Sequence, residues 1–107
     1  MNSAGQDTAA VPLEEQAIVI YGKPGCCLCD DAKPLVLALA AEFGLAVQVC
    51  NILDDAALLR AYRYRIPVVC HRGAVLDEGR VTAAALRGGL QRVRAAASAD
   101  QIRAAVR

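Results

Sequence analysis

Ala17-Ile18-Val19-Ile20-Tyr21-Gly22-Lys23-Pro24-Gly25-Cys26-Cys27-Leu28-Cys29-Asp30 is the stretch that decides how this chain is read. Ala17 to Tyr21 is an unbroken apolar run rich in β-branched residues, as expected of a strand covered on both faces. Gly22-Lys23-Pro24-Gly25 interrupts it and predicts a loop. A helical pattern follows. Leu28, Ala32, Leu35, Val36, Leu39 and Phe43 recur at helical spacing and make one apolar stripe, which predicts a helix from about Cys27 to Phe43. Asp30 and Asp31 fall in its first turn and complement the helix dipole. Pro34 lies inside the pattern and should kink it. Gly44 should end it as a C′ residue.

A strand that delivers Cys26 and Cys29 to a helix start places thiols where unpaired backbone N–H groups and the positive end of the dipole favour an anion. Lys23 adds positive charge nearby, while Asp30 and Asp31 act against it. Cys26 is therefore the expected nucleophile. Cys29, one turn deeper on the same face, is the expected resolving thiol, which attacks the mixed disulfide and releases the reduced product. Other chemistry is open to the same residues. Cys26, Cys27 and Cys29, with Cys50 or a partner chain's thiols, suit zinc or an iron–sulfur cluster, although the second half of a four-ligand site is missing. A pair with no turnover, on an adaptor domain, is the third reading. Cys27 either competes for the mixed disulfide, takes up a small thiol or joins a metal site, or is a small residue tolerated in the loop.

Working outward, Leu45 to Cys50 reads as a second strand, with Val47 and Val49 alternating with Ala46 and Gln48. Asp54-Asp55 opens a short helix to about Tyr62, with Leu58 and Leu59 inward. Pro67 to Cys70 is a third strand, Arg72-Gly73 a turn, and Ala74 to Asp77 a fourth strand, so the last two form a hairpin. Thr82 can cap a final helix with Leu86, Leu90 and Val93 inward. Gly88-Gly89 should weaken or split that helix, and Ser98 with Gln101 fits a capping box that restarts it. The order is β-α-β-α-β-β-α. Right-handed crossovers make the first two strands parallel, and the hairpin adds an antiparallel edge strand. The expected layout is a leader at 1–16, one domain at 17–97 and a helical extension at 98–107.

The 107 residues are 56% hydrophobic, enough for one domain with its own core, and with one Phe and no Trp that core must be aliphatic. Residues 1–16 show no basic-then-apolar leader and no apolar run is long enough to cross a bilayer, so a reducing cytoplasm is the expected address and no membrane partner is expected. Five Cys without framework spacing argue against a secreted disulfide scaffold. The net charge of +1 is split, acidic before residue 60 and Arg-rich after it, a pattern that suits the solvated face of a helix or an anionic partner. Phosphate-binding and dinucleotide glycine patterns are absent, and nothing resembles an aromatic-plus-basic nucleic-acid surface. Cys50 and Cys70 end strands and read as core filling. His71 reads as a surface residue near the hairpin turn. Tyr21, Tyr62 and Tyr64 read as packing residues, with Tyr21 able to line the active-site groove. Arg63 and Arg65 read as solvated, or as contacts for a carboxylate.

This element order, with Cys-x-x-Cys after the first strand, resembles the thioredoxin fold, and specifically the glutaredoxin-like family. Lys23-Pro24-Gly25-Cys26-Cys27-Leu28-Cys29-Asp30 resembles the family's active-site loop. Pro34 resembles its helix-kinking proline, Tyr62-Arg63-Tyr64-Arg65-Ile66-Pro67-Val68-Val69 resembles the segment with the family's cis-proline, and Gly79 matches a family glycine. The Cys-x-Leu-Cys-Asp site is similar to that of a subset of small bacterial glutaredoxin-like proteins. The resemblance implies an α/β thioredoxin-like fold, a four-stranded mixed sheet flanked by helices. It implies thiol–disulfide exchange at Cys26 and Cys29 without metal or other cofactor, and a cis bond before Pro67. Lys23, Ile66 and Pro67 are then the substrate contacts. The partner is a disulfide-bearing protein or a small thiol such as glutathione, which is also the candidate reducing co-substrate. Three departures bear on glutathione rather than on disulfide chemistry. Cys27-Leu28 replaces Pro-Tyr, Arg65-Ile66 replaces Thr-Val, and Glu78-Gly79-Arg80-Val81-Thr82 replaces a Gly-Gly-x-x-Asp stretch. Oligomeric state is left open by the sequence.

Overall fold

The structure, a computed structural model, describes residues 17–106, with side chains described through residue 96. The leader at 1–16 and the side chains of Ser98 and Gln101 lie outside the described residues. The elements are β1 (Ala17–Gly22), α1 (Cys27–Phe43), β2 (Ala46–Asn51), a 3-10 turn (Ile52–Asp54), α2 (Ala56–Tyr62), β3 (Val68–His71), β4 (Ala74–Glu78) and α3 (Ala83–Val106). Among the described residues the strands form one mixed sheet in the order β2-β1-β3-β4. β1 runs parallel to β2, with Ala17 opposite Ala46 and Gly22 opposite Asn51, and antiparallel to β3, with Tyr21 opposite Val68. β4 pairs antiparallel with β3 and carries a bulge opposite the Val69–Cys70 step. This is the thioredoxin-like α/β arrangement that the sequence predicts.

Strand alternation sorts the core onto the two faces of the sheet. Ile18, Ile20, Val69 and Leu76 face α1 and α3 and pack with Val36, Leu39, Leu86 and Leu90. Val19, Tyr21, Val68 and Cys70 face the other way and pack with Ile52, Leu58, Leu59 and Tyr62. Leu86 and Leu90 are fully buried, and each is worth about 1.5–3 kcal/mol on leaving water. β1 and β3 lie inside the sheet with helices on both faces, which is why β1 needs its unbroken apolar run.

Local signals set the boundaries. Gly44 adopts φ +69, and the N–H groups of Gly44 and Leu45 return to Ala41 and Ala40, closing α1. Asp55 accepts the N–H of Ala57 at 2.7 Å and starts α2. Thr82 accepts the N–H of Ala85 at 3.1 Å and starts α3. Arg72 and Gly73, both left-handed at φ +55 and +78, make the tight hairpin turn.

Two expectations are corrected here. Gly88-Gly89 does not split α3, whose backbone is helical without a break through Ser98 to Val106. A Cβ at Gly89 would sit 2.8 Å from the Leu76 carbonyl oxygen, so its absence lets α3 lie directly on β4, and the packing gained outweighs the poor propensity. His71 is not a surface residue. It is 1% exposed, and its Nδ1 donates to the Ala17 carbonyl at 3.0 Å. β3 is an inner strand, so a position beside the hairpin turn is still roofed by the neighbouring elements. Val47 packs into the α1 side, but Val49 on the same face is 55% exposed, because α1 does not cover the carboxyl end of β2.

Candidate functional site

The site is built where β1 ends and α1 begins. Gly25, at φ +80, turns the loop back so that Cys26 arrives as the N-cap of α1, in an extended conformation at φ −97 and ψ 113. Its Sγ accepts the backbone N–H of Cys29 at 3.2 Å, and its carbonyl accepts the N–H of Asp30 at 3.1 Å. Sulfur here stands where a Ser or Asp oxygen usually caps a helix, and it takes up one of the donors that a helix start leaves unpaired. The predicted position of Cys26 is the observed one.

Cys29 lies one turn on and, like Cys26, is half-buried. Burial pushes its thiol up to about 11, with the hydrogen bond to Cys26 and the charges of Cys26 and Asp30 acting in the same direction. The backbone N–H of Lys23 donates to this sulfur and acts against the rise. The two sulfurs thus share one hydrogen-bonded group, with Cys29 as the thiol that holds its proton. Sequence reasoning missed Gly22. A Cβ there would come within 2.9 Å of the Cys29 sulfur, so only glycine lets the end of β1 and the first turn of α1 meet. Its one sequence signal is a glycine between the strand run and the loop.

A cleft of ≈ 240 Å³ opens between the amino end of α1 and the carboxyl ends of β1 and β2. Cys29, Gly22, Lys23 and Lys33 line it, with Ile20 and Val49 also in its wall. Lys23 is therefore beside the dithiol, as expected. Cys26, Ile66 and Pro67 are not part of this cleft.

The peptide bond between Ile66 and Pro67 is cis, as the resemblance implies. Because Tyr21 pairs with Val68, Pro67 lies level with the end of β1, at the edge of the sheet from which the loop to Cys26 departs. Pro67 is buried, and its carbonyl accepts the Gly79 N–H at 2.8 Å, which gives the glycine before α3 its place. The N–H of Ile66 is already committed to the Tyr62 carbonyl at 3.1 Å, so an extended substrate strand has only the Ile66 carbonyl to pair with.

The residues around this turn depart from expectation in part. Arg65 is held bidentately by Glu78, through Nε at 3.2 Å and Nη2 at 2.7 Å, and it also lies over the Tyr62 ring. The guanidinium holds the Glu78 carboxyl below its usual range. Arg65 is thus engaged within the protein. Tyr62 stacks on Tyr21 at 5.0 Å, on the α2 side of the sheet, so Tyr21 packs as expected but does not line the cleft beside α1. Tyr64 does not pack. It is 88% exposed with Arg63 over its ring, since the turn after α2 carries it past the core.

Cys70 fills the core, as expected. Cys50 is half-buried; it packs against the α2-side cluster and also lines the cleft that holds Cys29. Cys27 is exposed. Among the described residues no three Cys, His, Asp or Glu side chains gather into a metal-holding group, and no helix is long and apolar enough to cross a membrane.

The comparisons bear on this geometry. The X-ray structure of Northeast Structural Genomics target protein XcR50 from X. campestris is similar, at 36% identity and a TM-score of 0.61 over 71% of this chain and 97% of that one. The solution NMR structure of protein Ne2328 from Nitrosomonas europaea is similar in fold, at 24% identity and a TM-score of 0.58 over 67% of this chain and 87% of that one. No curated protein matches the chain. The family described as glutaredoxin-like domain (DUF836) matches residues 17–106, the whole of the described fold with the Cys26–Cys29 loop and the Pro67 turn inside it, and the chain belongs to that family.

Proposed function

We propose that this protein is a thiol–disulfide oxidoreductase or redox carrier that works through the Cys26–Cys29 dithiol. The observation that carries the reading is the N-cap sulfur: Cys26 Sγ accepts the Cys29 N–H at 3.2 Å, with a second, proton-holding thiol one turn behind it. In the forward step the Cys26 thiolate attacks one sulfur of a substrate disulfide. A Cys26–substrate disulfide forms, the substrate S–S bond breaks, and the departing thiolate takes a proton from water. Cys29 then loses its proton and attacks Cys26 Sγ. The Cys26–Cys29 disulfide forms and the second substrate thiol leaves, so two electrons pass from the dithiol to the substrate.

Capture of Cys26 removes its negative charge and its bond with the Cys29 thiol, two of the influences that hold the Cys29 proton in place. Cys29 therefore ionises more readily once the mixed disulfide exists, with burial, the largest cause of its raised pKa, still in place. Lys23 beside the dithiol, with the Ile66 carbonyl and Pro67 at the neighbouring turn, are the substrate contacts in this reading. The substrate is a disulfide-bearing protein or small thiol, and the dithiol is restored by glutathione or a thioredoxin-reductase system, as suits a reducing cytoplasm.

The test is a redox titration of wild type, Cys26→Ser and Cys29→Ser, read by mass spectrometry, with glutathione and thioredoxin reductase each offered as donor. Wild type should form an internal disulfide, Cys29→Ser should stop at the mixed disulfide, and Cys26→Ser should be inert. Reduction that persists in Cys26→Ser sinks the reading, and wild type inert towards all disulfides favours an adaptor without turnover.

A further inference from the structure

We propose that the cleft between the amino end of α1 and the carboxyl ends of β1 and β2 binds a small organic monocarboxylate with a compact apolar body, held beside Cys29, with Lys23 shared between this site and the proposed disulfide contacts. Charge is the first argument. Lys23 and Lys33 line the cleft and make no ion pair among the described residues, whereas the ion pairs found there are Arg65–Glu78 and Arg87–Glu42. Asp30 brings the one opposing charge, so the lining carries two positive charges and one negative, a net of +1. A monoanion neutralises that lining, while a phosphate dianion overshoots it beside Asp30.

The second argument is the remaining chemistry of the wall. Asn51 Oδ1 accepts the Leu53 N–H at 2.9 Å, which orients the amide, and its nitrogen adds a donor to the two ammonium groups. Val49, 55% exposed on an otherwise well-packed sheet face, supplies an apolar surface, with the almost fully buried Ile20 behind it. Convergent donors on an apolar surface are the ordinary make-up of a small-molecule site. Size is the third argument. At ≈ 240 Å³ the space falls below the roughly 300–1,000 Å³ of sites for drug-sized ligands, so it suits a short acid better than a ligand of nucleotide size.

Cys29 forms part of the wall, so a ligand here touches the resolving thiol. Joining Cys29 to Cys26 alters that wall, and ligand affinity and dithiol state are then linked, each shifting the other by the same factor. That linkage rests on the redox reading, whereas the binding itself does not.

The experiment titrates phenylpropionate into reduced, full-length Cys26→Ser protein, which cannot turn over, and follows backbone amides by proton–nitrogen NMR. Phenylpropionamide serves as the neutral isostere. The expected result is saturable shifts centred on Gly22, Lys23, Lys33 and Asn51, with affinity about tenfold weaker for the amide and for a Lys23→Gln/Lys33→Gln double variant. Added salt should weaken the acid and leave the amide unchanged. Absence of a saturable shift, shifts centred elsewhere, or equal binding of acid and amide overturns the proposal. The amide comparison uses unaltered lysines, so it decides the matter even if the double variant folds poorly. Binding to Cys26→Ser alongside a wild type that exchanges no disulfide leaves this proposal standing and removes only the redox reading.

Discussion

At position 22 a hydrogen in place of a methyl group lets the end of β1 lie against the dithiol. Gly22→Ala puts a Cβ within 2.9 Å of Cys29 Sγ, so that sulfur must shift from the position in which it accepts the Lys23 N–H and bonds with Cys26. The cap on Cys26 is made by the Cys29 backbone N–H and not by the displaced sulfur, so it stays. Attack on disulfides should therefore survive while resolution slows, with the mixed disulfide lasting roughly ten- to a hundredfold longer in quenched mass spectra. An unchanged lifetime would show that the contact is idle. His71 makes a different single-residue case. His71→Phe keeps most of the bulk but leaves the Ala17 carbonyl without its donor, and urea unfolding should show a loss of about 1–3 kcal/mol. These two residues also mark the limit of sequence reading. Cys26 was legible because capping depends on neighbours a few positions away. Gly22 and His71 take their roles from β1 meeting α1 and from Ala17 lying beside the end of β3, contacts that no local pattern announces.

Among the elements, the glycine pair of α3 separates propensity from packing. A Cβ at Gly88 meets only Arg92 Nη1, at an ordinary 3.6 Å, whereas one at Gly89 meets the backbone of Leu76 at 2.8 Å. Gly88→Ala should therefore stabilise the protein by about 0.5–1 kcal/mol, through helix propensity alone. Gly89→Ala should destabilise it by about 1–3 kcal/mol, since rigid backbone must give way. Thermal unfolding that moved both variants in the same direction would refute the assignment. The same pair explains what periodicity conveys. The stripes of α1 and α3 and the caps at Gly44, Asp55 and Thr82 are local, so each element was legible to within a residue or two. The continuity of α3 was not, because it depends on how closely a helix approaches a strand. Exposure of Val49 escaped for a related reason: alternation names the face of a strand, but not where the helix above it stops.

For the molecule as a whole, element order and crossover handedness made the topology legible, since a strand feeding a helix returns to the same sheet in only one way. What the topology does not announce is how the buried thiol couples folding to pH. Cys29 has its proton held up from 9.0 to about 11, chiefly by burial. Above pH 9 the unfolded chain sheds this proton and the folded protein keeps it, so folding carries a penalty that grows with pH until the folded form also ionises near 11. At the acid end the sign reverses. Arg87 and Arg65 hold the carboxyls of Glu42 and Glu78 below their usual range, so that stabilisation is present above about pH 4.5 and fades as pH falls through the lowered values. Both pairs lie at the surface, with side chains 40–51% exposed, and are screened by salt, so the acid limb should be shallow. The alkaline limb is testable against its own control. Unfolding free energies of reduced wild type and Cys29→Ala, measured in urea from pH 8 to 11, share every other ionisable side chain, so their difference reports Cys29 together with its coupling to Cys26. Any advantage of wild type over Cys29→Ala should shrink steadily across that interval. Parallel curves would mean that the Cys29 sulfur ionises as readily in the fold as in water, and the order of the two thiols in the proposed exchange would then have no electrostatic basis.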